Sequence, residues 1–307
     1  MIAPVKLKTN DLVALLAPSG PCDPTRIQPA FHALKSFGLR PFIMESCYSE
    51  NGYLAGDDSL RASDIMEAFS DNEIKGIFAF RGGYGAQRIL PLLDYKLIGN
   101  NPKIFAGYSD ITALHTVINQ ICGFVTYHAP MAGTEVYKSD IDNYTIASFL
   151  GHVMENNLPP EVPYTVILPG QAEGILTGGN LTLLASSLGT PYEIDTKNKI
   201  LFIEEVQEEP YKVDRMLIQL KYAGKLNDCS AIMLGSFSPE TTATLSQAIE
   251  EILIPLGKPL GANLPCGHIL PTATLPMGAW AHMDGCTLRS NFPPLEDSNA
   301  LMPPTKT

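Results

Sequence analysis

Through the first half of the chain, short apolar runs alternate with segments whose apolar residues recur every three or four positions. Leu12-Val-Ala-Leu-Leu-Ala-Pro is closed by Pro18, Ser19 and Gly20 and reads as a buried strand. Thr25 to Phe37 then places Ile27, Phe31, Leu34 and Phe37 on one helical face. Gly38-Leu-Arg-Pro-Phe-Ile-Met leads into a second strand, and Asp57 to Phe69 predicts a helix with Leu60, Ile65, Met66 and Phe69 apolar. Gly76-Ile-Phe-Ala-Phe is a third buried strand; it runs into Arg81-Gly-Gly-Tyr-Gly, with a helix starting near Ala86. Ile104-Phe-Ala-Gly is the next strand, and it breaks at Tyr108-Ser-Asp before a helical pattern from Ile111 to Ile121. Strand and helix in alternation predict an α/β fold, a parallel sheet with helices on both faces. In such sheets the site lies at the carboxyl ends of the strands.

Three prolines fall between Asn156 and Pro163, which marks a linker. Beyond it, Glu173 to Leu184 contains a Gly-rich turn, Thr177-Gly-Gly-Asn. Lys199 to Val206 is a strand with two carboxylates at its end, and Asp214 to Tyr222 suits a helix. Ala231 to Phe237 is a strand, Thr241 to Leu253 a helix, and Pro265 to Leu288 short strands and turns. From Asn291 onward four prolines suggest a loose tail.

Composition removes several classes of function. The chain has 307 residues, is 45% hydrophobic and carries a formal net charge of −11, so it buries a sizeable core and does not suit a phosphate backbone. Its Lys and Arg are scattered, which argues against nucleic acid and against a polybasic membrane anchor. No stretch approaches the ~20 apolar residues of a membrane span. The N-terminus lacks the apolar core of a signal peptide, so a cytoplasmic location is expected. The six cysteines form no CxxC pair, so reduced thiols and no metal site are expected.

Four places hold candidate chemistry. In Gly107-Tyr-Ser-Asp a strand ends and Ser109 sits where a helix begins, the logic of a nucleophile elbow; on the tetrapeptide alone, a helix N-cap is the plainer reading. The glycines of Arg81-Gly-Gly-Tyr-Gly can bring backbone N–H groups to an anion, or simply make a tight connection, and Arg81 adds a carboxylate clamp. Glu204 and Glu205 face opposite ways if their strand continues, so at most one faces a site, and carboxylate clusters are usually solvated surface. His268, in Pro265-Cys-Gly-His, is a histidine in a turn; most lone histidines are not catalytic, and His128 is of the same kind. Cys266 reads more plainly as a small residue in a tight turn than as a nucleophile.

Taken in order, Leu16-Ala-Pro-Ser-Gly, Phe80-Arg-Gly-Gly-Tyr-Gly, Gly107-Tyr-Ser-Asp-Ile-Thr, Gly178-Gly-Asn-Leu-Thr, Leu201-Phe-Ile-Glu-Glu-Val with Tyr211-Lys-Val-Asp-Arg, and Gly267-His resemble the LD-carboxypeptidase family of serine peptidases. That family, of muramoyltetrapeptide carboxypeptidases, includes the microcin C self-immunity proteins. The resemblance spans roughly residues 10 to 290. It implies an N-terminal Rossmann-like domain over 1–155, a linker over 156–172, a smaller β-rich C-terminal domain over 173–290 and a tail over 291–307. It implies a triad of Ser109, Glu204 and His268, although the family's usual Asp after the acidic member is here Glu205. It also implies an oxyanion hole from the N–H groups of Gly83 and Asp110, with Arg81, Gly82 and Tyr84 beside the substrate. No cofactor is implied. The implied substrate is a murein tetrapeptide or muropeptide losing its terminal D-alanine, and the implied assembly is a homodimer. Cleavage of a peptidyl- or aminoacyl-nucleotide amide, as in the microcin-immunity branch, is the alternative. A non-catalytic binding protein, with the glycine loop holding a phosphate, is a further one.

Overall fold

Alternate residues of the first apolar run leave the backbone on opposite sides, and each side meets its own core. In β1 (Leu12–Leu16), Val13 and Leu15 pack with Ile27 and Leu34 of the helix Pro24–Ser36 and Phe149 of the helix Asn143–Val153. Ala14 and Leu16 pack with Ile65 and Phe69 of the helix Asp58–Ser70 and Leu114 of the helix Thr112–Val117. The protein is described by a computed structural model over residues 1–238 and 245–291.

The remaining strands of the first half are β2 (Arg40–Ile43), β3 (Ile74–Ala79), β4 (Ile104–Gly107) and β5 (Thr126–His128). The second half supplies β6 (Val162–Pro163), β7 (Thr165–Leu168), β8 (Ala172–Asn180), β9 (Ile200–Glu205), β10 (Ala231–Phe237), β11 (Leu260–Ala262), β12 (Leu275–Met277), β13 (Trp280–Asp284) and β14 (Thr287–Asn291). The first sheet has the order β12-β5-β4-β3-β1-β2; all its pairs are parallel except β12 with β5. Pro41 is tolerated because β2 is an edge strand. The second sheet has the order β6-β14-β13-β8-β9-β10-β11-β7, with a parallel centre from β8 to β11 and antiparallel flanks.

The two units exchange strands. Residues 156–172, expected as a linker, contribute β6 and β7 to the edges of the second sheet. There Pro163 pairs with Thr287 on an edge strand, where proline is tolerated, and Val162 and Tyr164 are buried. In return, β12 crosses to the first sheet, with Leu275 opposite His128. Thr177-Gly-Gly-Asn is not a turn but the end of β8. A Cβ on Gly178 would lie 1.9 Å from the Phe202 carbonyl oxygen, so only glycine lets β8 lie so close to β9 there.

Strand β9 repeats the alternation of β1. Leu201 and Ile203 face the helix Pro210–Tyr222, packing on Val213, Leu217 and Leu220. That helix starts a turn earlier than the expected Asp214, because Pro210 occupies its first turn, where its missing N–H costs nothing. Ile200 and Phe202 face the other way, onto Leu275 and Met277 of β12 and hence toward the first sheet. Of the expected helix Thr241–Leu253, residues 241–244 lie outside the described residues, and 245–253 are helical. Strand β14 runs to Asn291, and the rest of the expected tail lies outside the described residues. Among the described residues, no helix is long and apolar enough to cross a membrane. The six cysteines are unpaired.

Candidate active site

At the end of β4 the chain turns sharply. Tyr108 is extended, and Ser109 then takes a φ of 66°, a left-handed conformation that costs a residue with a Cβ about 1–2 kcal/mol. Strain of this kind persists only where surrounding structure imposes it, and it gathers at functional sites. Ser109 does not serve as the helix N-cap: Ile111 holds that position for Thr112–Val117, and no side-chain cap bond forms there. Instead Ser109 lines a cleft of about 620 Å³, together with Arg81, Gly82, Gly83, Tyr108 and His268.

The turn is fixed from below. Asp110 is buried, and its Oδ2 accepts hydrogen bonds from Ser19 Oγ at 2.6 Å and from the Ala86 N–H at 2.7 Å. One carboxylate thus joins the Ser109 turn, the Ser19 loop and the helix start after the glycine loop. Burial raises its pKa above the ordinary range, against those hydrogen bonds. The glycine loop lies directly on Ser109: a Cβ on Gly82 would be 2.9 Å from Ser109 Cβ and 3.4 Å from the Asp110 nitrogen. Arg81 holds the loop, donating to the Gly82 carbonyl at 3.2 Å and the Pro21 carbonyl at 3.1 Å. Tyr84 is not brought to the cleft wall. It is half exposed and packs edge-on against Tyr53, with ring centroids 5.7 Å apart.

From the other sheet come Glu204 and His268. Glu204 lies on the Ile200–Phe202 side of β9, is fully buried, and its Oε2 is 2.8 Å from His268 Nδ1. With Nδ1 facing a carboxylate, the neutral ring carries its proton there and presents a lone pair at Nε2. Burial lowers the pKa of His268. The Glu204 hydrogen bond and the charges of Glu204, Glu205 and Glu135 outweigh burial and leave it raised. Glu205 faces the helix side of β9. It accepts from Asn180 Nδ2 and from the N–H and Oγ1 of Thr182, each at 2.8 Å, and so secures the start of the helix Leu181–Ser186.

The other sequence candidates have internal roles. Cys266 is fully buried, donates to the Ala273 carbonyl at 3.3 Å and lies 3.4 Å from His128 Nδ1. Burial raises the thiol pKa and lowers that of His128, so both stay neutral and neither reaches the cleft. Two charged residues that the pattern did not single out, Asp23 and Arg26, also line it. Arg26 stands over the Tyr137 ring at 5.1 Å, donates to the Gly133 carbonyl at 3.3 Å and pairs with Asp23 at 3.1 Å. The only sequence sign of them is the cap pattern of Asp23-Pro-Thr-Arg, which concerns the helix start and not a ligand. With Arg26, Arg81 and Asp23 on its wall, the cleft suits a ligand bearing carboxylate and ammonium groups. Among the described residues, no group of three or more His, Cys, Asp or Glu side chains is arranged to hold a metal ion. A serine on a strained turn, an imidazole oriented by a buried carboxylate and a glycine loop are the parts of nucleophilic acyl transfer.

Comparison with known proteins places the fold in a family. Residues 13–129 match the LD-carboxypeptidase N-terminal domain (Peptidase S66), and residues 173–283 match the LD-carboxypeptidase C-terminal domain. A probable murein peptide carboxypeptidase of Bacillus subtilis is 42% identical over 290 residues, covering 92% of this chain and 91% of the relative. The crystal structure of a muramoyltetrapeptide carboxypeptidase from Oxalobacter formigenes is 32% identical, with a TM-score of 0.79 over 90% of this chain and 97% of that one. An MccF-like protein from Bacillus anthracis is 27% identical, with a TM-score of 0.86 over 94% and 98%. The chain belongs to the LD-carboxypeptidase family.

Proposed function

We propose that the protein is a murein tetrapeptide carboxypeptidase that hydrolyses the amide bond before a terminal D-alanine, with Ser109 as nucleophile, His268 as general base and Glu204 as the carboxylate that orients the histidine. The observation that carries this reading is the convergence at one cleft of Ser109, held at a φ of 66°, and His268, held by buried Glu204. The printed names of the Bacillus relative and the Oxalobacter structure support the substrate class.

Each part has a step. His268 Nε2 takes the hydroxyl proton as Ser109 Oγ attacks the carbonyl carbon. Glu204 stabilises the imidazolium that forms. The N–H groups of Gly83 and Asp110 stabilise the oxyanion, and each such donor is worth about 3–4 kcal/mol in related acyl transfers. His268 returns the proton to the leaving amine, D-alanine departs, and water attacks the acyl-enzyme by the same base. The free carboxylate of the substrate falls to Arg81, already on the cleft wall, where Arg26 also lies.

The alternative, from the resemblance to the microcin-immunity proteins, is the amide of a peptidyl- or aminoacyl-nucleotide. That substrate asks for an exposed aromatic platform. Trp280 is exposed on β13 but does not line the cleft; the aromatic side chains that do, Phe80 and Tyr108, are buried. This favours the peptide. A homodimer and a cytoplasmic location complete the proposal.

The decisive assay offers L-Ala-D-Glu-meso-diaminopimelyl-D-Ala to the protein and to Ser109→Ala, and follows free D-alanine by mass spectrometry. Release by the native protein, with a loss of about 10⁴-fold or more in the variant, is expected. Equal release by both would remove Ser109 as nucleophile. No release by either would remove the tetrapeptide and turn attention to aminoacyl-nucleotide amides.

A further inference from the structure

Behind the cleft lies a buried acid that the triad mechanism does not use. Glu135 sits in the turn Ala132–Val136, only 6% exposed. Tyr108 Oη donates to its Oε1 at 2.9 Å, and the Met131 N–H donates to its Oε2 at 2.9 Å. Both oxygens accept, as a carboxylate's do. Tyr108 is the residue immediately before Ser109, and its ring meets the His268 imidazole at 65° with centroids 4.8 Å apart. The turn itself is anchored to the glycine-loop strand, since the Gly133 N–H donates to the Phe80 carbonyl at 2.8 Å.

We propose that Tyr108 and Glu135 form a positioning pair: the buried carboxylate holds the phenol, and the phenol holds both the imidazole of His268 and the backbone of Ser109 in reacting register. The proposal rests on the serine-hydrolase reading above and adds a second acidic residue to it. A hydrogen-bond acceptor for Tyr108 does not require a charge, and a buried carboxylate is costly. Its charge has a use when His268 becomes an imidazolium, with Glu204 on Nδ1 and Glu135 behind the Tyr108 ring. The groups against His268 are Glu204 from β9, Glu135 and Tyr108 from this pair, and neutral His128, while the charge of Glu205 acts on it from the opposite face of β9; Asp23, Arg26 and Arg81 share its cleft. Burial raises the Glu135 carboxyl above the ordinary range, while the bonds from Met131 and Tyr108 oppose that rise.

The test compares native protein, Glu135→Gln and Tyr108→Phe in D-alanine release from the tetrapeptide, across pH. In Glu135→Gln, kcat should fall roughly ten- to a hundredfold, the scale of a misplaced reacting group, with KM changed less than about twofold. The acid limb of kcat/KM should move to lower pH, because a charge that favours the imidazolium is gone. In Tyr108→Phe, kcat should fall on the same scale while the limb moves less, since Glu135 keeps its charge. A Glu135→Gln protein that loses thermal stability alone, with kcat and acid limb as native, overturns the proposal. If Glu135→Gln does not fold, Tyr108→Phe decides: native kcat in that variant overturns the pair as well. Native protein that releases no D-alanine sinks the carboxypeptidase reading and this pair with it, whereas native turnover with unaltered variants sinks the pair alone.

Discussion

At the end of β4 the chain leaves its sheet through Ser109 at a φ of 66°, and the side chain stands half-buried at the cleft. At the end of β9 the chain stays in its sheet, and Glu204 is fully buried beneath His268. Both are carboxyl ends of parallel strands, where α/β sheets place their chemistry. The strained exit is what brings the Ser109 side chain to the cleft. Glu204 is kept from water and given one short partner, His268 Nδ1 at 2.8 Å. Glu205, one residue on, shows how narrow the choice is: the same side chain with the opposite strand parity becomes a structural clamp on Asn180 and Thr182.

Glu204→Gln breaks the comparison most severely. The amide keeps the volume but loses the charge and the tautomer control over His268. We expect kcat to fall about 10³- to 10⁴-fold, read by D-alanine release, with the fold retained. A loss under tenfold would mean that Glu204 is not the orienting acid. Gly82→Ala acts at the other strand end. Its methyl would sit 2.9 Å from Ser109 Cβ. The strained turn must shift, and kcat should drop roughly ten- to a hundredfold with KM little altered. Native kcat in the Gly82→Ala enzyme would show that the loop and the turn are not tightly coupled.

The titration of His268 sharpens the contrast without a mutation. The proposed mechanism needs a neutral His268, and its partners raise its pKa above the ordinary value of about 6.5. The kcat/KM profile should therefore begin to fall, as pH drops, at a value above that, and decline tenfold per further unit. A limb at or below it would mean that burial outweighs Glu204. The smallest effect on activity is expected from Glu205→Gln, within about threefold of native kcat. Its cost falls on stability instead, about 1–3 kcal/mol in urea unfolding, since a buried hydrogen-bonded carboxylate is weakened. A large kcat loss there with native stability would exchange the roles of the two glutamates.

Much of the scaffold was readable in the chain. Apolar runs closed by Pro, Ser and Gly marked β1, β3 and β4, and helical spacing marked the helices now seen at Pro24–Ser36 and Asp58–Ser70. Strands β5 and β12 are three residues each, too short for any period to register. Strand β8 runs through Gly178 and Gly179, which read as a turn because local pattern carries no information about how near β9 lies. Tyr84 failed as a cleft residue because its ring found Tyr53 instead. Arg26 and Glu135 were silent, since each meets the site only through contacts with segments distant in sequence.

What the sequence determined by itself was the set of strand ends and the chemistry carried on them. Periodicity is a local property, and the serine, the paired glutamates and the glycine–histidine turn sit at its interruptions. Strand parity even required Glu204 and Glu205 to point apart. Only the tertiary structure decided which of them lies against His268. That choice depended on β12 crossing to the first sheet and on the Ile200–Phe202 face of β9 packing toward it. A face becomes an interior only when another surface is laid against it, and that surface comes from residues far along the chain.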